Sequence, residues 1–254
     1  MERPSNTNNT AGRNVNVSAS SDFTVLVKYL LYLVLLLVGV CVLLDGVVHV
    51  ASSFMSYRQI DRLMQPISGR APSAPFGVYA PKLQKLEALK NRFFLEDGFS
   101  GQEFSIGLQQ STQINAFLTP HKQIFFTTTL LNNIQDEDTL FFVLAHEIGH
   151  YKNKDLFRSV MRQLLFQLAA SLFEQQVANG TSQSMVLHYS RSSEFAADCF
   201  AARKLQKVYG STEGGRKFFE YLAKNEPRPE WAQYLASHPG YAKRIDNLSR
   251  CQAE

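Results

Sequence analysis

The sequence predicts an α+β, mainly helical domain with a small sheet, preceded by one transmembrane helix. Three observations carry this. Residues 29–44 contain no charged residue and lie within an apolar run that begins at 24. Residues 104–108, 113–118 and 123–127 read as short strands, the last two joined by the turn Thr119-Pro120-His121-Lys122. From Pro81 onward, apolar residues recur mostly at helical spacing.

In chain order, residues 1–22 are rich in Asn, Ser and Thr and predict a disordered tail. Residues 24–46 are long enough for a tilted span, with Lys28 able to snorkel and Tyr29 and Tyr32 suited to the interface. A cleaved leader is the alternative, with Val50 and Ser52 as small-residue positions. It would be unusually long, and Asp45 sits where its cleavage region begins, so an uncleaved anchor is preferred. Residues 47–77 predict a juxtamembrane helix at 52–65 and then a linker dense in Pro and Gly. Residues 78–254 form the expected main domain. Its helix at 81–93 carries Leu83, Leu86, Leu89 and Phe93 on one face. Further helices are expected at 128–133, at 139–151 with Asp136 or Asp138 as cap, at 159–176, 190–208, 217–224, 231–235 and 241–248. A polar loop is expected at 177–183 and a break at 210–215.

The net charge of +4 is dispersed, and no basic block with interleaved aromatics occurs, which argues against nucleic acid. The three cysteines have no C-x-x-C spacing, so neither a zinc ribbon nor a disulfide framework is expected. Cys199 and Cys251 could pair, but nothing in the sequence asks them to, and Cys199 reads most simply as a small buried residue.

The stretch 139–151, TLFFVLAHEIGHY, concentrates the chemistry. Its apolar residues leave no polar face, so the helix is buried on most sides. Yet it carries His146, Glu147 and His150, and buried polar groups need partners. Four residues turn through about 400°, so the two histidines point within about 40° of each other and can reach one ion. Glu147 is offset by about 100° and can face a water there. This is the H-E-x-x-H arrangement of two zinc ligands and a general base. The plain alternative is two core histidines and a chance glutamate. The charged run at 152–155 makes this apolar helix too short for a bilayer.

A catalytic zinc takes three protein ligands and one open position. His121, His188, His238 and the downstream acids are candidates for the third. In SRSSEFAADCFAARKL, Glu194 and Asp198 stand four apart among apolar residues and must be satisfied by something buried. Glu194 as ligand and Asp198 as the partner orienting a ligand histidine meet that need. An exposed acidic stripe paired with Arg191 or Arg203 is the alternative. His238 before Pro239 reads by itself as a turn residue and Arg244 as a surface charge. His49, His121 and His188 are assigned no function.

Asn115-Ala116-Phe117, H-E-I-G-H at 146–150, E-F-A-A-D at 194–198 and S-H-P-G-Y-A-K-R-I at 237–245 occur in this order. Together they resemble the gluzincin zinc peptidases that include the CAAX prenyl protease and the bacterial membrane protease HtpX, over roughly residues 78–250. With one clear span, the chain is similar to the compact, single-anchor members. The resemblance implies a zincin-like fold and one Zn2+ per chain, held by His146, His150 and Glu194. It implies Glu147 as base and Asp198 as the residue orienting a ligand. Asn115, Ala116 and Phe117 would form the substrate-binding edge. His238 would be a switchable extra ligand and Arg244 a transition-state stabiliser. The expected reaction is hydrolysis of peptide bonds in unfolded or damaged polypeptides by a membrane-anchored endopeptidase, with lipid contacted through the span. A client-binding or assembly protein with a closed zinc site is the alternative, and a self-processing precursor a further one. The positive-inside comparison sets Arg3, Arg13 and Lys28 against Arg58, Arg62 and Arg70. Lys28 and Asp45, nearest the membrane on their two sides, tip it toward a cytoplasmic tail and an extracytoplasmic catalytic domain.

Overall fold

The computed structural model describes residues 22–66, 77–95, 104–171, 189–225, 237–238 and 243–251. The expected tail at 1–21, most of the linker, the loop at 177–183, the helix at 231–235 and His188 lie outside the described residues. The chain divides into two compact units, 1–46 and 47–254.

The first unit contains most of α1 (Asp22–Phe54). Every side chain from Leu30 to Leu37 is at least 44% exposed. Among the described residues this is the one helix long and apolar enough to cross a membrane. At about 1.5 Å per residue its 33 residues span about 50 Å, more than a hydrocarbon core needs.

Helix α1 does not stop at Leu44. It runs on to Phe54, and only then does the separate juxtamembrane helix α2 (Tyr57–Met64) begin. The break is set by Ser56, whose hydroxyl accepts from the Gln59 amide while the Gln59 side chain accepts from the Ser56 amide. Ile60 and Met64 bury one face of α2 in the core.

After a 3-10 turn at Gly77–Tyr79, α3 (Ala80–Leu95) carries Pro81 in its first turn, where no amide partner is lost. The sheet has the order β1-β3-β2, from β1 (Ser105–Gln109), β2 (Ala116–Leu118) and β3 (Gln123–Thr127). β1 runs parallel to β3, with Ile106 opposite Ile124; β2 runs antiparallel, with Ala116 opposite Phe126. Short α4 (Thr128–Asn133) follows, capped by the Thr127 hydroxyl.

Helix α5 (Glu137–Lys152) is the axis of the second unit. Every residue from Thr139 to Tyr151 is buried, against α3, α6, α7, α8 and β2. Asp136 occupies the N-cap position, but its side chain makes no cap bond. Helix α6 (Asp155–Ser171) begins earlier than predicted, α7 (Arg191–Tyr209) is capped by Ser190, and α8 (Glu213–Asn225) and α9 (Arg244–Arg250) complete the bundle. Phe93, Phe141, Phe142, Phe218 and Phe219 fill the space around α5. Each such burial contributes about 1.5–3 kcal/mol.

Two expectations are corrected. Gly214 and Gly215 do not break the chain; they lie in the first turn of α8. A Cβ at Gly214 would fall 2.5 Å from the Asp138 backbone, so glycine lets α8 close onto α5. And Cys199 of α7 is bonded to Cys251 after α9. The 52-residue separation hides this pairing from any local pattern; packing of α9 on α7 creates it.

Candidate metal centre

The site is made where α5 and α7 touch. Gly149 permits that approach, because a Cβ there would meet the Ala197 Cα at 3.1 Å. Glu194 and Asp198 therefore come down beside His146 and His150, as helical spacing requires. His146 Nε2 and His150 Nε2 lie 3.1 Å apart. Glu194 Oε2 is 3.5 Å from the first and Glu194 Oε1 is 3.3 Å from the second. His238 joins them: its Nδ1 is 3.4 Å from His146 Nε2 and 3.1 Å from Glu194 Oε1. One donor atom from each of these four residues lies within 4.8 Å of the other three, and all four residues are buried.

The outer nitrogens explain the inner ones. His150 Nδ1 is 3.1 Å from Asp155 Oδ2. His146 Nδ1 is 2.9 Å from Asp198 Oδ1, off the ideal N–H direction. A carboxylate at each Nδ1 holds the ring proton there and turns the Nε2 lone pairs inward. Two lone pairs 3.1 Å apart beside a carboxylate repel unless a cation sits among them. Charge points the same way: the carboxylates of Glu147, Asp155, Glu194 and Asp198 are all buried, against one buried guanidinium among the described residues, that of Arg244. Imidazoles with a carboxylate are the donor set of zinc. The residues present fit the metal.

Arg244 is more engaged than a surface charge. Its Nε and Nη2 donate to Asp198 at 2.7 Å each, and its Nη1 is 2.7 Å from Glu194 Oε2. Burial alone would raise the Glu194 carboxyl, but the charges of His238, Arg244 and His150 hold it well below the usual range. Asp198 is likewise held low, against its burial, chiefly by Arg244. Without a metal, burial would lower the His150 imidazole, yet the Glu194 charge and the Asp155 hydrogen bond push it up to about 10. A proton is attracted to the same place as a metal would be.

Glu147 differs. Neither carboxylate oxygen has a side-chain hydrogen bond among the described residues, and His238 Nε2 stands 3.6 Å from Oε1. Burial raises its carboxyl, opposed by the charges of His238 and His150 and by the Leu118 backbone, which acts to lower it. Asn115 is buried just before β2 with its Oδ1 unpartnered, and β2 is an edge strand packed beside α5. Phe117 stacks on Phe125, 5.3 Å between centroids.

Two residues of the site were missed in the sequence. Asp155 stood in a charged run read as the end of an apolar surface. Tyr189 stacks on the His150 ring at 3.8 Å and is buried with its hydroxyl unpartnered. It directly precedes the Ser190 cap, a position that carries no spacing signal. His121 and His49 are not part of the cluster.

The sequence model of peptidase family M48 matches residues 82–252. The chain is 24% identical over 173 residues to the mitochondrial metalloendopeptidase OMA1 of Bos taurus, covering 60% of this chain and 33% of that protein. The corresponding Homo sapiens protein is 25% identical over the same coverage. The protease HtpX of Mannheimia succiniciproducens is 28% identical over 187 residues, covering 56% of this chain and 65% of HtpX. The match thus spans about a third of the length of the mammalian relatives. The family model takes in both motif-bearing helices, α5 and α7, and about two-thirds of this chain: the protein belongs to peptidase family M48.

Proposed function

We propose that this protein is a membrane-anchored zinc endopeptidase acting on unfolded polypeptide. The observation that carries the proposal is the convergence of His146, His150 and Glu194 beside a buried carboxylate, Glu147, that no side-chain hydrogen bond occupies among the described residues. His146, His150 and Glu194 would hold the zinc, which when bound supplies Lewis acidity to a scissile carbonyl and to water. Glu147 takes the proton of the attacking water and passes it to the leaving amine. No side-chain hydrogen bond among the described residues competes for that transfer. Asp198 and Asp155 hold the two imidazoles in the ligating tautomer. Arg244, whose donors are committed to Asp198 and Glu194, we assign to holding those acids rather than to contacting the transition state. An extended substrate adds along β2 at 115–118, bound through its main chain and hence with little sequence preference.

A second reading is supported by His238. Its Nδ1 lies among the ligand atoms and its Nε2 faces Glu147, which fits a closed resting site. A client-binding protein would keep it closed; a peptidase releases it when substrate arrives. His238→Ala should retain zinc and raise cleavage if His238 is a gate. Unchanged absence of cleavage would favour the binding protein.

We further propose that residues 78–254 lie outside the cytoplasm. The buried Cys199–Cys251 disulfide supports this, because such bonds persist in oxidising compartments. A reporter fused after Ala71 that works only outside the cytoplasm should be active; activity of a cytoplasm-only reporter would reverse the orientation. The activity itself is tested by incubating the full chain in detergent with an unfolded protein. Cleavage should stop on chelation and return with zinc. Cleavage indifferent to chelation would reject the proposal.

A further inference from the structure

The turn between α5 and α6 faces two ways. Asp155 points inward, to His150 Nδ1 at 3.1 Å. Its neighbour Lys154 points outward, to the end of α1. Lys154 Nζ donates to the carbonyls of Ser52 and Met55 at 2.7 Å each. These carbonyls belong to the last turn of α1 and the residue after it, where backbone acceptors are poorly satisfied; the Ser52 carbonyl also accepts from the Met55 amide, at a long 3.4 Å. The same ammonium lies over the Tyr57 ring, and the Tyr57 hydroxyl donates to the Lys152 carbonyl at 2.9 Å. One turn further on, Arg158 Nε donates to the fully buried Ser52 hydroxyl at 2.8 Å while its Nη1 stands 3.9 Å from Asp155 Oδ1. The segment 52–57 thus grips the turn from one side and His150 engages it from the other.

The backbone of Lys154 adds a second observation. Its φ is +61°, a left-handed conformation that glycine adopts at lower cost. A lysine held there is explained by what its side chain reaches. We propose that the segment directly following the apolar part of α1 is a brace for the metal centre, with Lys154, Arg158 and Ser52 as positioning residues that act on His150 through Asp155. The segment 52–57 is then part of the active-site scaffold rather than a passive connection. This rests on His150 being a metal ligand.

The test uses the full chain in detergent, with zinc affinity read by chelator competition and site geometry by the visible spectrum after cobalt(II) substitution. Asp155→Asn should weaken zinc about 10–100-fold, the range for partners of ligand histidines. Lys154→Gly should relieve the backbone yet weaken zinc several-fold and shift the cobalt spectrum, and Lys154→Arg should restore much of both. The double variant Lys154→Gly/Asp155→Asn should be no weaker than Asp155→Asn alone, since both act on one ligand. Ser52→Ala, volume-conserving, gives the same test from the α1 side should Lys154→Gly fail to fold. Wild-type zinc affinity and spectrum in Lys154→Gly or Ser52→Ala, or additive losses in the double variant, would overturn the brace. His150→Ala is the control: if it binds zinc like wild type, the ligand assignment fails instead.

Discussion

Helices α1 and α5 are both written largely in Leu, Val and Phe, and each carries histidine, yet their surroundings are opposite. In α1 the apolar side chains from Leu30 to Leu37 are exposed and His49 stands on an exposed surface. In α5 thirteen consecutive residues are buried, His146 and His150 among them. An imidazole in water is satisfied without any further structure. One enclosed by protein must be given partners, and α7 and the α5–α6 turn supply them as Asp198, Glu194 and Asp155, the first two held in turn by Arg244 of α9. Histidine content alone therefore says little; enclosure turns it into a demand for a metal.

Substitutions can break that contrast, the strongest first. Glu194→Ala removes one of three proposed ligands from a bound metal. Site energies of about 10–16 kcal/mol put the loss at about 3–5 kcal/mol, several hundred-fold or more in zinc affinity. Full zinc by elemental analysis in this variant would remove Glu194 from the site. Leu144→Ala in α5 should destabilise the fold by about 2–5 kcal/mol in a denaturant melt, because its side chain is wholly enclosed. Gly149→Ala gains helix propensity but crowds the Ala197 backbone, so a net loss of about 1 kcal/mol is expected, together with weaker zinc binding. Leu36→Ala, with its side chain 64% exposed in α1, should leave the melt of the second unit within about 0.5 kcal/mol of wild type.

What could be read from sequence followed the range of the interactions. The mainly helical fold with a small sheet and one apolar N-terminal helix was legible because periodicity is local. His146, Glu147 and His150, then Glu194 and Asp198, were legible as neighbours because their spacing is that of a helical turn in apolar surroundings. Arg244 and His238 read by themselves as a surface charge and a turn residue; only the resemblance drew them to the site, since their partners lie 46 and 44 residues away. The Cys199–Cys251 bond and the packing of Gly214 against Asp138 depend on tertiary contact between helices distant in sequence, and no local rule reports that. Asp155 was hidden by its charged neighbours, which turn away from the site it faces.

The most direct test of the enclosed site as a catalytic one is Glu147→Gln, assayed beside wild type for bound zinc and for cleavage of an unfolded protein. The amide keeps the shape of the side chain but cannot accept the proton of water. Full zinc, an unchanged melt and loss of cleavage are expected. Cleavage at the wild-type rate by a zinc-loaded Glu147→Gln protein would contradict it.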